Sequence, residues 1–386
     1  MGAIVNRFLL LAGLALLPMV AAAPYVPRSG DAIVAILPAR DGGLRALRAR
    51  AAATPRDLVA ALELARRCIA MGRSTADPRY FGQAQAALGP WWHAVNVPAS
   101  VRLLRAELLQ NGHRFDAARA ELHRVTATDP RNAQAWLTLA TVQAVQGDSA
   151  AATASCARLS GLAGQLATFA CLAGASANTP RMRGSEKLLD ITLLRDPDAE
   201  PALRAWALTL LAEFASRRND AAAADQRFRD ALRTTPQDTC LLGAYADFLI
   251  DQGGAAEVAQ LLRGRGSVDA LLLRQALALR WLGDARELAP VRATLQARFD
   301  AAARRGDSVH LREQARFTLH VLGNSRVALA LAQRNWAKQK ELADTRILLE
   351  AGLAAHDSAA VRPVLRWIRT QGMEDVMVAR LVATAS

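Results

Sequence analysis

Residues 99–159 read ASVRLLRAELLQNGHRFDAARAELHRVTATDPRNAQAWLTLATVQAVQGDSAAATASCARL, and they decide the fold of this chain of 386 residues. The stretch predicts two helical hairpins in tandem, which begin at Ala99 and Ala133, 34 residues apart. The positions that mark the hairpins are Ala106, Phe115, Ala118, Leu122, Val125 and Pro130 in the first, and Trp136, Leu139, Ala140, Gly147, Ala152 and Leu159 in the second.

Small and large apolar residues alternate in a way that indicates packed helices. Trp136 and Leu139 lie three residues apart and therefore share one face of the first helix of the second hairpin. Ala140 and Ala152 are small where the two helices cross, since overpacking such a site typically costs ~1–3 kcal/mol. One hairpin leaves part of its apolar face uncovered, so neighbouring hairpins are expected to stack.

The turns of these hairpins are marked by residues that stop or start helices. Gly147 can take the left-handed conformation that ends a helix, and Asp148 is a good N-cap for the next one. Pro130 cannot continue a helix and separates the first hairpin from the second.

The 34-residue step and these positions resemble the tetratricopeptide repeat family. The resemblance continues through units that begin near Ala205, Thr239 and Asp269, and through a weaker unit at residues 167–197. It implies an all-α fold, a right-handed superhelical α-solenoid of about nine hairpins that ends in a C-terminal capping helix. We expect an overlong second helix at residues 285–304.

The chain divides into three predicted segments: a signal peptide at residues 1–22, a linker with N-terminal capping helices at residues 23–54, and the solenoid at residues 55–386. Within the second segment, helices are expected at residues 31–38 and 44–53. The C-terminal cap is expected at residues 374–381, because the last repeat has no neighbour to cover its open face.

The first residues have the pattern of a cleavable signal peptide. Arg7 precedes an apolar run of ten residues, Phe8 to Leu17, which is shorter than the ~20 residues that span a bilayer. Val20-Ala21-Ala22 is a small-residue cleavage pattern, so the mature chain is expected to begin near Ala23. No later segment is apolar enough to span a membrane. The pattern predicts a periplasmic or secreted protein, although an uncleaved anchor also fits it.

The net charge of +13 comes almost entirely from arginine, since the chain has three lysines. One reading is nucleotide bias in a GC-rich genome, which would also explain the many alanines. The other is attraction to acidic proteins, an anionic membrane surface or an acidic polymer. Nucleic acid is not an expected partner, because an exported protein rarely meets it and no groove-reading motif is present.

Four cysteines follow the signal peptide, and two of them are expected to pair. If the hairpins stack as the resemblance implies, Cys156 and Cys171 lie on neighbouring helices and can form a disulfide in an oxidising compartment. Two buried free thiols would fit the same positions. Cys68 and Cys240 are expected to be buried and unpaired.

The sequence contains none of the motifs that would indicate an enzyme or a cofactor site. It has no phosphate-binding loop, no nucleophile elbow and no His-Glu-x-x-His, and its six histidines lack metal-binding spacing. We therefore expect no catalytic residues, no metal and no cofactor.

The resemblance implies a binding surface on the first helix of each hairpin, which lines the concave side of the superhelix in this family. The positions that match are Leu103, Glu107, Asn111, Gln134, Thr138, Thr141, Trp206, Glu213, Arg217, Asp247, Asp251, Arg274, Arg280, Trp281 and Phe317. Tryptophan and arginine anchor interfaces, so the candidate partner-binding residues are Trp206, Arg217, Arg274, Arg280 and Trp281. These tryptophans could equally be core residues, and the arginines solvated.

Together these observations predict an exported interaction scaffold or assembly factor that binds a protein or peptide in a concave groove. The alternative is a component of a cell-envelope polysaccharide or export machine that contacts an anionic polymer. The Lys/Asn set with which some family members clamp a C-terminal carboxylate is absent, so that ligand class is not indicated.

Overall fold

The computed structural model describes residues 42–385, and these residues form 21 helices. By its internal contacts the chain divides into Met1–Gly43 and Leu44–Ser386, and the solenoid lies within the second unit. The helices are α1 (Gly42–Ala53), α2 (Leu58–Thr75), α3 (Arg79–Ala87), α4 (Gly89–Trp92), α5 (Ala99–Asn111), α6 (Phe115–Thr128), α7 (Ala133–Val145), α8 (Ser149–Ala157), α9 (Gln165–Ser176), α10 (Met182–Leu194), α11 (Pro201–Arg217), α12 (Ala221–Thr234), α13 (Thr239–Asp251), α14 (Ala255–Leu261), α15 (Asp269–Trp281), α16 (Ala285–Arg304), α17 (Leu311–His320), α18 (Ser325–Trp336), α19 (Leu342–Ala354), α20 (Ser358–Gln371) and α21 (Val376–Ala385).

Eighteen of these helices form nine consecutive hairpins, from α2/α3 to α19/α20, with the short α4 after the first and α21 after the last. The expected all-α solenoid of about nine hairpins is confirmed. Four of the expected starts, Ala99, Ala133, Thr239 and Asp269, are the first residues of α5, α7, α13 and α15. The predicted signal peptide and the helix expected at residues 31–38 lie outside the described residues.

The turn inside several hairpins is built from one left-handed residue followed by an N-cap. Gly147 has a φ of 83°, and the Asp148 carboxylate accepts a hydrogen bond from the Ala151 backbone N–H at 3.0 Å. This pairing ends the first helix and begins the second within two residues. The same arrangement recurs at Asn219-Asp220, Gly283-Asp284, Gly323-Asn324 and His356-Asp357.

Small residues lie where helices approach each other. Ala140 and Ala152 are both buried, as their positions in the second hairpin predicted. In the last hairpin, a Cβ on Gly352 of α19 would lie 2.3 Å from Cγ1 of Val361 on α20, so only glycine fits there.

The disulfide is confirmed, and it joins two hairpins. Cys156 of α8 and Cys171 of α9 are bonded, with their Cα atoms 5.6 Å apart. Cys68 and Cys240 are both free, as expected, and Cys68 is buried, but the prediction that Cys240 is buried is wrong. Its thiol is free and exposed, because the first turn of α13 faces the inside of the solenoid rather than a neighbouring helix.

Several residues that were expected on the concave surface are buried instead. Phe317 was expected on the concave surface, but it is 1% exposed and packs against Phe299 with ring centroids 5.5 Å apart. Glu107 and Thr138 are also buried rather than open to a ligand.

The last hairpins return to contact the middle ones. The Lys340 backbone N–H donates to the Val145 carbonyl at 2.7 Å, which joins the start of α19 to the end of α7. Arg183 of α10 pairs with Glu374, just before α21, at 2.7 Å. These contacts link residues up to 191 positions apart, and they make the hairpins surround a central cavity. Between residues 42 and 385, no helix is both long and apolar enough to cross a bilayer.

Candidate partner-binding cavity

The central cavity has a volume of about 2400 Å³ and is lined largely by the first helices of the hairpins. All five candidate partner-binding residues, Trp206, Arg217, Arg274, Arg280 and Trp281, line it. The structure therefore brings them to one surface, although they differ in how much of each side chain is open to a ligand. Whether any of them contacts a partner stays a prediction.

The cavity has a neutral half and a charged half. Of the lining residues up to Leu210, Arg73 alone is charged, and the wall there includes Leu137, Ala140, Ala144 and Trp206. The wall from Glu213 onward carries eight arginines and nine carboxylates. Although the whole chain has a net charge of +13, the lining of this cavity has no excess of positive charge.

Arg274 is held in an ion-pair network at the charged wall. Its guanidinium donates to the carbonyls of Gly243 at 2.9 Å and Ala270 at 2.8 Å, and it also pairs with Asp247. Arg316 of α17 binds the other oxygen of Asp247 at 2.9 Å. Burial acts to raise the pKa of Asp247, but Arg274 and Arg316 outweigh it and hold that pKa well below its usual range. The network joins α13, α15 and α17.

A second network runs beside the first. Arg346 of α19 donates to Asp251 of α13 at 2.6 Å and to Glu350 at 2.7 Å, and Glu350 lies 2.8 Å from Nε2 of His320. Burial acts to raise the pKa of Glu350, but His320 and Arg346 outweigh burial and lower it to about 2. Asp251 and Arg346 are 95 residues apart, so this pair forms only because the solenoid curves back on itself.

Arg217 is committed to contacts within the protein. Its side chain is 5% exposed and donates to the Ala177 carbonyl and, at 2.7 Å, to Oδ1 of Asn178. It also lies 3.7 Å from the carboxylate of Asp375, which caps the start of α21. These contacts fix the last helix to the middle of the solenoid. A ligand would therefore meet Arg217 as part of the wall.

Arg280 and Trp281 line the cavity and are both exposed. The Arg280 guanidinium donates one weak hydrogen bond, 3.3 Å to the Val321 carbonyl. Trp281 is 74% exposed, whereas Trp206 is half-buried against the core of the neighbouring hairpins. One of the two tryptophans is thus mostly a packing residue, and the other projects into solvent.

Glu213 is unlike every other carboxylate of the lining. Among the carboxylates of the cavity wall in residues 42–385, its side chain alone has neither a hydrogen-bond partner nor an ion-pair partner. Its side chain is open to the cavity, yet the surrounding walls displace much of the bulk water. This burial raises the pKa of Glu213 to about 7. The positive charge of Arg217 acts to lower that pKa, and repulsion by Glu341 and Asp247 raises it further.

Sequence reasoning missed Arg316, Arg346 and Glu350. It assigned Phe317 to the concave surface, but the neighbouring Arg316 faces the cavity, and one residue is a rotation of about 100° around a helix. A useful signal was present, since Arg312 and Arg316 lie four apart on a first helix, as do Arg346 and Glu350. Within residues 42–385, no three His, Cys, Asp or Glu side chains lie close enough together to hold a metal ion.

Comparisons with known proteins find only distant structural similarity. No family model matches the sequence. No curated protein matches it either. Several solved structures align with most of the chain at low sequence identity. A chain of the APC/C hetero-tetramer Cut9-Hcn1 is 12% identical with a TM-score of 0.39, over 89% of this chain and 52% of that chain.

Two further solved structures give the same picture. The human IFIT1 dimer with m7Gppp-AAAA is 13% identical with a TM-score of 0.45, over 88% of this chain and 86% of that chain. A tetratricopeptide repeat protein from Parabacteroides merdae is 13% identical with a TM-score of 0.29, over 74% of this chain and 98% of that chain. This chain spans about half the length of the Cut9-Hcn1 chain that it matches. The nine consecutive helical hairpins of the described residues form an all-α solenoid.

Proposed function

We propose that this protein is an interaction scaffold or assembly factor that holds a segment of a partner protein inside its central cavity. The cavity carries the proposal, because its volume of about 2400 Å³ exceeds the ~300–1,000 Å³ typical of small-molecule sites. Its wall combines apolar surface with hydrogen-bonding groups, which suits a peptide that has both kinds of side chain.

Cys240 provides a native attachment point for testing this function. Its thiol is free and exposed in the cavity, whereas Cys68 is buried and the other two cysteines are bonded to each other. A thiol-reactive photocrosslinker on Cys240 should capture one partner protein in stoichiometric yield from an extract of the source organism. The captured protein, once purified, should also protect Cys240 from alkylation.

The matched control places the same crosslinker outside the cavity. Glu257 of α14 is exposed and does not line the cavity, so Glu257→Cys in a Cys240→Ala background presents the label on the outer surface. Capture of the same proteins in the same yield from both positions would refute binding in the cavity.

We also propose that the chain is exported and that its mature form begins near Ala23. The signal-like pattern of residues 1–22 supports export, as does the bond between Cys156 and Cys171, because disulfides persist mainly in oxidising compartments. N-terminal sequencing of the protein expressed in a Gram-negative host should find a start near Ala23. A chain that keeps Met1 and stays in the cytoplasm would overturn this proposal.

An anionic polymer is the weaker candidate for the cavity, because the arginines of the wall are matched in number by carboxylates. Such a polymer would have to bind the outer surface, where the remaining positive charge lies. Retention on an acidic polysaccharide resin should therefore be unaffected when purified partner fills the cavity. If the partner releases the protein from the resin, the polymer and the partner compete for the cavity, and this result would favour the polymer as the cavity ligand.

A further inference from the structure

We propose that the cavity selects partner segments that carry a lysine or arginine a few residues from a bulky apolar side chain, with the basic group bound at Glu213. This inference deepens the proposed function and rests on it. It assigns a basic side chain of the bound protein as the ligand of Glu213, which has no ion-pair partner in the part of the chain that the structure describes.

The other carboxylates of the wall are already paired within the protein. Asp247 pairs with Arg274 and Arg316, Asp251 pairs with Arg346, and each remaining carboxylate of the wall except Glu213 has an arginine partner. A ligand charge that approached these groups would compete with an existing ion pair and gain little. The Glu213 carboxylate can accept an ammonium or guanidinium without breaking any contact within the protein.

The local electrostatic environment of Glu213 includes one cation and two acids. The charged groups that face it are Arg217 on its own helix, Asp247 on α13 and Glu341 at the start of α19. Arg217 lowers the pKa of Glu213, whereas Glu341 and Asp247 raise it by repulsion, and each of the three also pairs with another residue of the wall. A ligand cation bound at Glu213 relieves the repulsion that the two acids exert on its carboxylate. The positive charge of the outer surface is screened over the ~8 Å Debye length of physiological salt.

Glu213 also belongs to a stripe of cavity-lining residues on α11. Trp206, Leu210 and Glu213 line the cavity at positions i, i+4 and i+7 of one helix, so they share a face. Seven residues of helix rise about 10 Å, which equals about three residues of an extended peptide. The ligand should therefore place its apolar side chain against Trp206 and Leu210, and its basic group two to four residues away.

The test is a selection from a soluble random dodecapeptide library, with the retained peptides identified by mass spectrometry. Wild-type protein should enrich peptides with lysine or arginine two to four residues from a bulky apolar residue. The Glu213→Gln variant should lose the basic preference and keep the apolar one. Glu257→Gln, an exposed carboxylate outside the cavity, is the matched control and should behave as wild type.

A direct measurement follows on the strongest selected peptide. Replacing its lysine by norleucine should weaken binding to wild type about five- to tenfold, and binding to Glu213→Gln by less than about twofold. Equal binding of both peptides to wild type, or the same difference in the Glu213→Gln variant, would overturn the inference while leaving the cavity as a peptide site. Selected peptides that do not protect Cys240 from alkylation would count against the proposed function itself.

Discussion

Two glycines on equivalent first helices should respond in opposite ways to the same substitution. At Gly352 an added Cβ would lie 2.3 Å from Cγ1 of Val361, which is itself 2% exposed and β-branched, so it has little freedom to move. At Gly174 of α9 an added Cβ would have no heavy atom within 4 Å. Both glycines therefore have a helical backbone, but they differ in the space that is available to an added methyl group.

The magnitudes follow from that difference. Alanine is favoured over glycine in a helix by about 1 kcal/mol, so Gly174→Ala should raise the free energy of unfolding by about that amount. At Gly352 the same gain is outweighed by overpacking of up to about 3 kcal/mol, so Gly352→Ala should lower the free energy of unfolding by about 2 kcal/mol.

Urea unfolding followed by circular dichroism at 222 nm measures both variants against wild type. Val361→Ala should partly rescue Gly352→Ala, because it removes the atom in the way, although it destabilises the wild-type protein. A Gly352→Ala protein as stable as Gly174→Ala, or no rescue by Val361→Ala, would show that α19 and α20 do not cross as closely as described.

Three further outcomes follow from the structure. Replacing both Cys156 and Cys171 by alanine removes a bridge across 15 residues and should lower the free energy of unfolding by about 3 kcal/mol. The control Cys68→Ala removes a free buried thiol and should lower it by less. Equal losses in urea unfolding would contradict this prediction. The pKa of Glu350 is about 2 in the folded protein against 4.5 unperturbed, so its ion pairs stabilise the fold above pH 4.5 and lose that effect as the pH falls toward 2. Glu350→Gln should make acid unfolding correspondingly less steep in that range. The pKa of Glu213 is about 7, so binding of a lysine peptide should strengthen between pH 6 and 8 as the carboxylate ionises, and fluorescence anisotropy should find no such change in Glu213→Gln.

The repeat was readable from the sequence because its signals are local. A first helix, a left-handed turn residue, an N-cap and a second helix follow one another within about 30 residues, as at Ala133, Gly147 and Asp148. Each signal acts through the backbone of its own hairpin, so no knowledge of distant residues was needed. The pairing of Cys156 with Cys171 was accessible for the same reason, since consecutive hairpins must be neighbours.

The candidate site was less accessible, because the local sequence pattern predicts where each helix lies but not how it is rotated around its own axis. Phe317 and Arg316 differ by one position, yet one is core and the other faces the cavity. Arg217 has the residue type of an interface anchor, but the structure uses it to fix α21. Residue type alone could not separate a structural arginine from a free one.

The sequence by itself determined the all-α architecture and the approximate number of hairpins, and it indicated the disulfide, since these depend on contacts within a hairpin or between consecutive ones. Only the tertiary structure decided which charges remain available to a ligand. Asp247 meets Arg316 across 69 residues and Asp251 meets Arg346 across 95. These residues come into contact because small rotations accumulate from one hairpin to the next until the last hairpins contact the middle ones. No local sequence pattern specifies the total rotation. Glu213 is left unpaired by the same curvature.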